Sequence, residues 1–181
     1  EVALSERLIK MHKWSSMCKF TRTGAEASAV AIRIGRIYSR KNKIAICGYH
    51  GWHDWYLSVN LKSKKKLDTH LIKNLNIDGV DKNLKNSSVA FKHNDLNSFK
   101  KIVKQNKDIG VVIMEVERFE EVQKDFLKYI REYTSKNKIT LIFDECTSGF
   151  RQTFGGLHLK YKINPDICIL GKALGNGYPI N

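Results

Sequence analysis

The chain has 181 residues, 42% of them apolar and only two proline, which suits one domain with a sizeable core and excludes an intrinsically disordered protein. Its net charge of +14 is spread along the sequence, and the one dense cluster, Lys62-Ser63-Lys64-Lys65-Lys66, lacks the interleaved aromatics of a nucleic-acid reader, so a solvated surface is expected. The four cysteines, Cys18, Cys47, Cys146 and Cys168, stand singly and argue against a disulfide or zinc framework. No apolar run is as long as a membrane span, and the amphipathic start EVALSERLIKMHKW is unlike a signal peptide, so a cytoplasmic protein is expected.

Apolar spacing predicts a helix over Glu1 to Lys13, a short strand over Met17 to Phe20 and a second helix over Ala25 to Tyr38. A strand follows at Ile44 to Cys47. From Tyr49 to about Ser87 the periodicity dissolves into the longest irregular stretch, the kind of loop that in compact domains carries function or moves. Regularity returns with strand Val89 to Phe91, helix Asp95 to Lys104, strand Val111 to Met114, helix Glu121 to Ser135 and strand Ile139 to Phe143. A helical turn near Leu157 to Tyr161 and a strand at Asp166 to Leu170 complete the series. Strand and helix alternate, which predicts an α/β fold with a mostly parallel sheet and helices on both faces.

Two of these strands end in charges that a core would not choose. Leu141-Ile142-Phe143 runs into Asp144-Glu145, and Ile167-Cys168-Ile169-Leu170 runs into Gly171-Lys172. In open α/β sheets ligands sit outside the carboxyl ends of the strands, so an acid and a lysine delivered there can act on one molecule. Pyridoxal phosphate needs that pair: a lysine to hold it as a Schiff base, and a carboxylate beside its ring nitrogen. Taken alone, Asp144 and Lys172 also read as a partly buried ion pair or as two solvated strand ends.

Two further segments suit such a cofactor. Thr21-Arg22-Thr23-Gly24-Ala25-Glu26 ends a strand and opens a helix, aiming backbone N–H groups and the helix dipole at an anion. The same residues read equally as an ordinary helix start, with Thr23 capping and Glu26 completing a capping box. Cys47-Gly48-Tyr49-His50-Gly51-Trp52-His53-Asp54-Trp55-Tyr56 is an aromatic cluster after a strand, in which Tyr49 or His50 can stack on a planar ring while Trp52, Trp55 and Tyr56 cover a sheet edge or a subunit contact. His50, His53 and Asp54 have no suitably spaced partner for a metal site, and none is expected.

Together, TGAEA opening a helix, YHGWHD after the next strand, IFDE followed by CTSGFR, and PDICILGKALGNGYP resemble the class III pyridoxal-phosphate-dependent aminotransferases, in particular the glutamate-1-semialdehyde aminomutase-like subgroup. The resemblance runs the length of the chain in matching order. It implies the large domain of the aspartate-aminotransferase-like fold and the cofactor pyridoxal 5'-phosphate. The implied reaction moves an amino group from a small-molecule donor to a keto or aldehyde acceptor, or within one molecule. Lys172 resembles the Schiff-base lysine and Asp144 the ring-nitrogen partner. Thr23, Gly24 and Ala25 resemble the phosphate turn, Tyr49 the stacked aromatic and Cys146 the residue against the other ring face, and His50 and Gly51 belong to the same motif as Tyr49.

Departures from the pattern occur at Ala25, where many relatives carry a hydroxyl, and at Met114-Glu115-Val116 through Glu121, where relatives commonly show Glu-Pro and small residues. The resemblance also implies a homodimer, and a longer protein of which residues 1–181 are the central part of the large domain, inactive or nearly so in isolation. The alternative reading is a non-catalytic fragment or pseudoenzyme that keeps the fold as a binding or assembly module.

Overall fold

A computed structural model describes residues 1–63, 66–68, 70 and 72–181. Lys64 and Lys65 of the basic cluster lie outside the described residues. The chain opens with helix α1 (Val2–Met11) and the longer α2 (Gly24–Ser39), then enters strand β1 (Lys43–Cys47). A short helix α3 (Asp54–Leu57) and two 3-10 turns, Ser58–Leu61 and Lys82–Leu84, lie in the stretch without periodicity. Next come β2 (Ser88–Ala90), α4 (Leu96–Gln105), β3 (Ile109–Glu115), α5 (Lys124–Lys136), β4 (Thr140–Asp144), α6 (Leu157–Tyr161) and β5 (Ile167–Ile169), and then a 3-10 turn at Lys172–Gly175.

All five strands are parallel, in the order β2-β1-β3-β4-β5. From β1 the chain steps outward to β2, then crosses back to β3 and continues to β4 and β5. The order therefore reverses between β1 and β3, where the following loops diverge and leave a crevice at the strands' carboxyl ends.

Every residue of β3 and β4 is buried, as expected when helices cover both faces of a parallel sheet. Alternate strand residues feed two cores. Ala45, Val112, Met114, Leu141 and Phe143 pack with Phe99 and Val103 of α4 and Phe126, Leu127 and Ile130 of α5. Ile44, Ile46, Val111, Ile113 and Ile142 pack with Ala31 and Ile32 of α2 and Tyr56 and Leu57 of α3.

Two expectations are corrected. Met17 to Phe20 is extended but forms no ladder with any described strand, and a strand exists only by pairing. Next to it, Thr21 and Asn181 exchange a reciprocal pair of backbone hydrogen bonds, each 2.9 Å. Helix α5 begins at Lys124 rather than Glu121, because the Val122 and Gln123 N–H groups donate to the side chains of Glu117 and Asn94, which fixes them outside the helix.

Candidate active site at the strand carboxyl ends

A cavity of about 330 Å³ opens at the crevice, and eight of the nine residues singled out from the sequence line it: Gly24, Ala25, Tyr49, His50, Gly51, Asp144, Cys146 and Lys172. Thr23 does not. Its hydroxyl accepts from the Glu26 N–H at 3.1 Å while the Glu26 carboxylate accepts from the N–H groups of Arg22 and Thr23, so the capping box is formed. The N–H groups of Gly24 and Ala25 have no partner among the described residues. They point from the positive end of a 16-residue helix at the cavity wall.

Asp144 ends β4 and is 8% exposed. Its Oδ2 lies 2.8 Å from His50 Nδ1, and its Oδ1 accepts from the Cys146 N–H at 3.1 Å. Burial alone would raise the Asp144 carboxyl, but the hydrogen bond and attraction of His50, with the Cys146 N–H, outweigh it and hold the group below the usual carboxylate range. His50 is fully buried, and its Nε2 lies 3.0 Å from the Cys47 carbonyl. Its ring packs among Trp55, roughly parallel at 6.3 Å between ring centres, and Tyr56, edge-on at 6.0 Å.

Lys172 follows β5 with φ +46°, a left-handed conformation rare outside glycine that costs on the order of 1–2 kcal/mol and is typical of functional turns. Its Nζ donates to Thr147 Oγ1 at 2.7 Å. The preceding Gly171 is extended, and a Cβ there would displace the Asn181 side-chain amide, whose Oδ1 would lie 1.9 Å away. Burial pushes the Cys146 thiol up, so it meets the cavity as a neutral group between Asp144 and Lys172.

Sequence reasoning missed the wall between Tyr49 and Thr147. Glu115 ends β3, is 4% exposed, and accepts from the Tyr49 N–H at 2.9 Å and from Arg118 Nε and Nη2 at 2.7 and 2.5 Å. The Arg118 guanidinium lies 5.7 Å from the Tyr49 ring centre and lines the cavity. The signal was present: Glu115 is a charge at a strand end, as Asp144 is.

Just outside the cavity, Glu145, His158 and Cys168 bring three potential ligand atoms within 4.8 Å of one another. Glu145 Oε1 lies only 2.5 Å from His158 Nδ1, a hydrogen bond and too close for two ligands of one ion, which sit roughly 3 Å apart at ordinary bond lengths. The group is a buried acid–base pair.

The whole chain, residues 1–181, matches the family "Aminotransferase class-III". It is 35% identical over 184 residues to the 3-aminobutyryl-CoA aminotransferase of Cloacimonas acidaminovorans (strain Evry), covering 98% of this chain and 40% of that protein. It is also 35% identical to the glutamate-1-semialdehyde 2,1-aminomutase of Methanocaldococcus jannaschii, covering 99% and 43%. Among solved structures it superposes on an omega-transaminase from Sphaerobacter thermophilus with a TM-score of 0.85 at 28% identity, covering 99% of this chain and 42% of that one. A transaminase with PLP bound gives the same TM-score at 25% identity. The chain thus spans less than half the length of these relatives. A parallel sheet whose crevice gathers an acid, a lysine and a helix N-terminus, matched from end to end, makes this chain a member of the class-III aminotransferase family.

Proposed function

We propose that residues 1–181 form the central part of the cofactor-binding large domain of a pyridoxal-phosphate-dependent aminotransferase or aminomutase, cytoplasmic and homodimeric in its full-length form. The observation that carries this reading is the shared cavity, onto which Asp144, Lys172 and the N-terminal residues of α2 all face. Two features support the cytoplasmic setting: all four cysteines are free, and no described helix is long and apolar enough to cross a membrane.

The donor set fits the cofactor. Gly24 and Ala25 offer a phosphate two N–H groups without a partner among the described residues, and a Cβ on Gly24 would lie 3.1 Å from Cys146 Sγ, a tight contact that would press on the cradle. Asp144, kept ionised by His50, would hold a proton on a ring nitrogen. Tyr49, fixed through its N–H to Glu115, would cover one ring face and Cys146 the other. When bound through the lysine, pyridoxal phosphate supplies the electron sink for amino-group chemistry. In this chain Thr147 orients the Lys172 amine, the base that would move the proton at the substrate carbon.

The test uses the full-length protein incubated with pyridoxal phosphate, reduced with borohydride and mapped by mass spectrometry. The pyridoxyl group is expected on Lys172, lost in Lys172→Ala and kept in Lys62→Ala. Labelling spread over surface lysines and unchanged by Lys172→Ala would overturn the proposal.

A further inference from the structure

Arg118 follows β3, and its bonding is one-sided. A guanidinium has two edges able to grip a carboxylate, one formed by Nε and Nη2 and one by Nη1 and Nη2. Glu115 takes the first, with Nε at 2.9 and 2.7 Å from its two oxygens and Nη2 at 2.5 Å. On the second edge, Nη1 has no partner among the described residues, and Nη2 reaches Thr147 Oγ1 only at 3.4 Å. That hydroxyl is the atom 2.7 Å from Lys172 Nζ.

The open edge thus shares the Thr147 hydroxyl with the Lys172 amine, and both side chains line the same cavity. The side chain is 19% exposed, so the edge is neither sealed in the core nor dissolved in bulk water. Glu115 is 4% exposed and behind the guanidinium, where it fixes the plane of the fork and offsets the cost of holding a cation there. Tyr49 and Phe119 lie against the guanidinium, at 5.7 and 5.9 Å from their ring centres, and keep it from swinging out.

We propose that Arg118 is the specificity-determining residue of this pocket, taking a substrate carboxylate end-on beside Lys172, so that the preferred amine carries a carboxylate. Glu115 is its positioning residue. The inference rests on the reading of the cavity as a cofactor site but is separable from it by experiment.

Two variants avoid a bare buried charge. Arg118→Lys keeps a cation beside Glu115 but lacks the fork, and the double variant Arg118→Gln/Glu115→Gln removes the pair as a unit. Glutarate, a dicarboxylate without an amine, is titrated calorimetrically into the cofactor-free full-length protein. The loaded protein is then titrated spectroscopically with 4-aminobutyrate and with butylamine. Loss of a charge-assisted, two-bond contact should weaken glutarate binding roughly 10- to 100-fold in both variants. In Arg118→Lys, which leaves Glu115 in place to hold Tyr49, the preference for 4-aminobutyrate over butylamine should fall by a similar factor. Unchanged preference in Arg118→Lys, no glutarate binding by the wild type, or equal loss of both amines together with the cofactor overturns the proposal. Arg118-dependent glutarate binding in a protein that takes up no pyridoxal phosphate would instead sink the proposed function and leave the carboxylate site standing.

Discussion

Glu145 follows Asp144 in sequence, yet it faces away from the cavity and ties the next 13 residues to the sheet. Its side chain is completely buried and accepts four hydrogen bonds: from the Leu157 N–H at 2.5 Å, the His158 N–H at 3.0 Å, the Ser148 hydroxyl at 2.9 Å and His158 Nδ1 at 2.5 Å. Glu145→Gln keeps the shape but replaces one acceptor oxygen with a donor, so one backbone N–H, of Leu157 or His158, must face an N–H group, while the Ser148 hydroxyl or the His158 ring has to reverse its role. Each donor so orphaned costs about 1–3 kcal/mol, and breaking a buried charge pair about 3–5 kcal/mol, which sets the expected loss at about 3–5 kcal/mol. For a chain of this size that lowers the melting temperature by about 6–20 °C.

Urea unfolding followed by tryptophan fluorescence measures it, and Trp14, edge-on to His158 at 5.5 Å, reports locally. The pH dependence has a definite sign. Burial would raise the Glu145 carboxyl, but the hydrogen bonds from His158 outweigh it and hold the group below its ordinary value. Its contribution is thus complete above the unfolded carboxyl's range, about pH 4.3, and is lost as pH falls through the lower folded value. The gap between wild type and Glu145→Gln should narrow in acid. A variant within about 1 kcal/mol of wild type at pH 7 would refute the assignment of Glu145 as the anchor of this loop.

His70 and Gly48 give two further predictions at the β1 loop. His70 is 7% exposed and its Nδ1 accepts from the Gly48 N–H at 2.8 Å, while burial, with repulsion from His50, lowers it from 6.5 to about 4. Its neutral form is favoured in the fold, so stability is present above pH 6.5 and declines between 6.5 and about 4, by about 3 kcal/mol at 1.36 kcal/mol per pH unit. Urea titrations across that window should show this decline in the wild type and lack it in His70→Gln. Gly48 has φ +103°, and a Cβ there would lie 2.7 Å from Glu115 Oε2 and 2.9 Å from its Cγ. Gly48→Ala should destabilise by about 2–4 kcal/mol, from backbone strain plus the displaced Glu115, and should raise the dissociation constant for pyridoxal phosphate by displacing Tyr49; equilibrium dialysis that finds wild-type affinity would count against the Glu115 link.

Where a signal is local, the sequence carries it. Ile44 to Cys47, Val111 to Met114 and Leu141 to Phe143 are short, mostly β-branched or aromatic runs, and burial on both faces leaves them no alternative. Asp144 and Lys172 were legible because a charge closing such a run has few structural uses. Arg118 was not legible: its loop has no periodicity, and although its partner Glu115 closes a strand, the turn that brings the two together is a property of the loop conformation. The start of α5 was hidden for a similar reason, since Asn94, which fixes Gln123, is 29 residues away. Met17 to Phe20 has the composition of a strand, but pairing is a property of what lies alongside. The contacts of His50 with Asp144 and the Cys47 carbonyl were not legible either, since an aromatic in a loop says nothing of what its ring nitrogens meet.

The sheet order also sets a length scale. The walls of the cavity that the sheet carries follow β1, β3, β4 and β5, which are consecutive neighbours, so the outermost of these are three strand spacings apart, about 14 Å at 4.8 Å each, with the N-terminus of α2 as a further wall. Hydrogen bonding fixes that spacing, and no side-chain replacement can widen it. A molecule that spans these walls would thus meet groups at separations the ladder fixes. Distances to Arg118 and Tyr49, which stand on the loops after β3 and β1, are set instead by loop conformation and can change without disturbing the ladder.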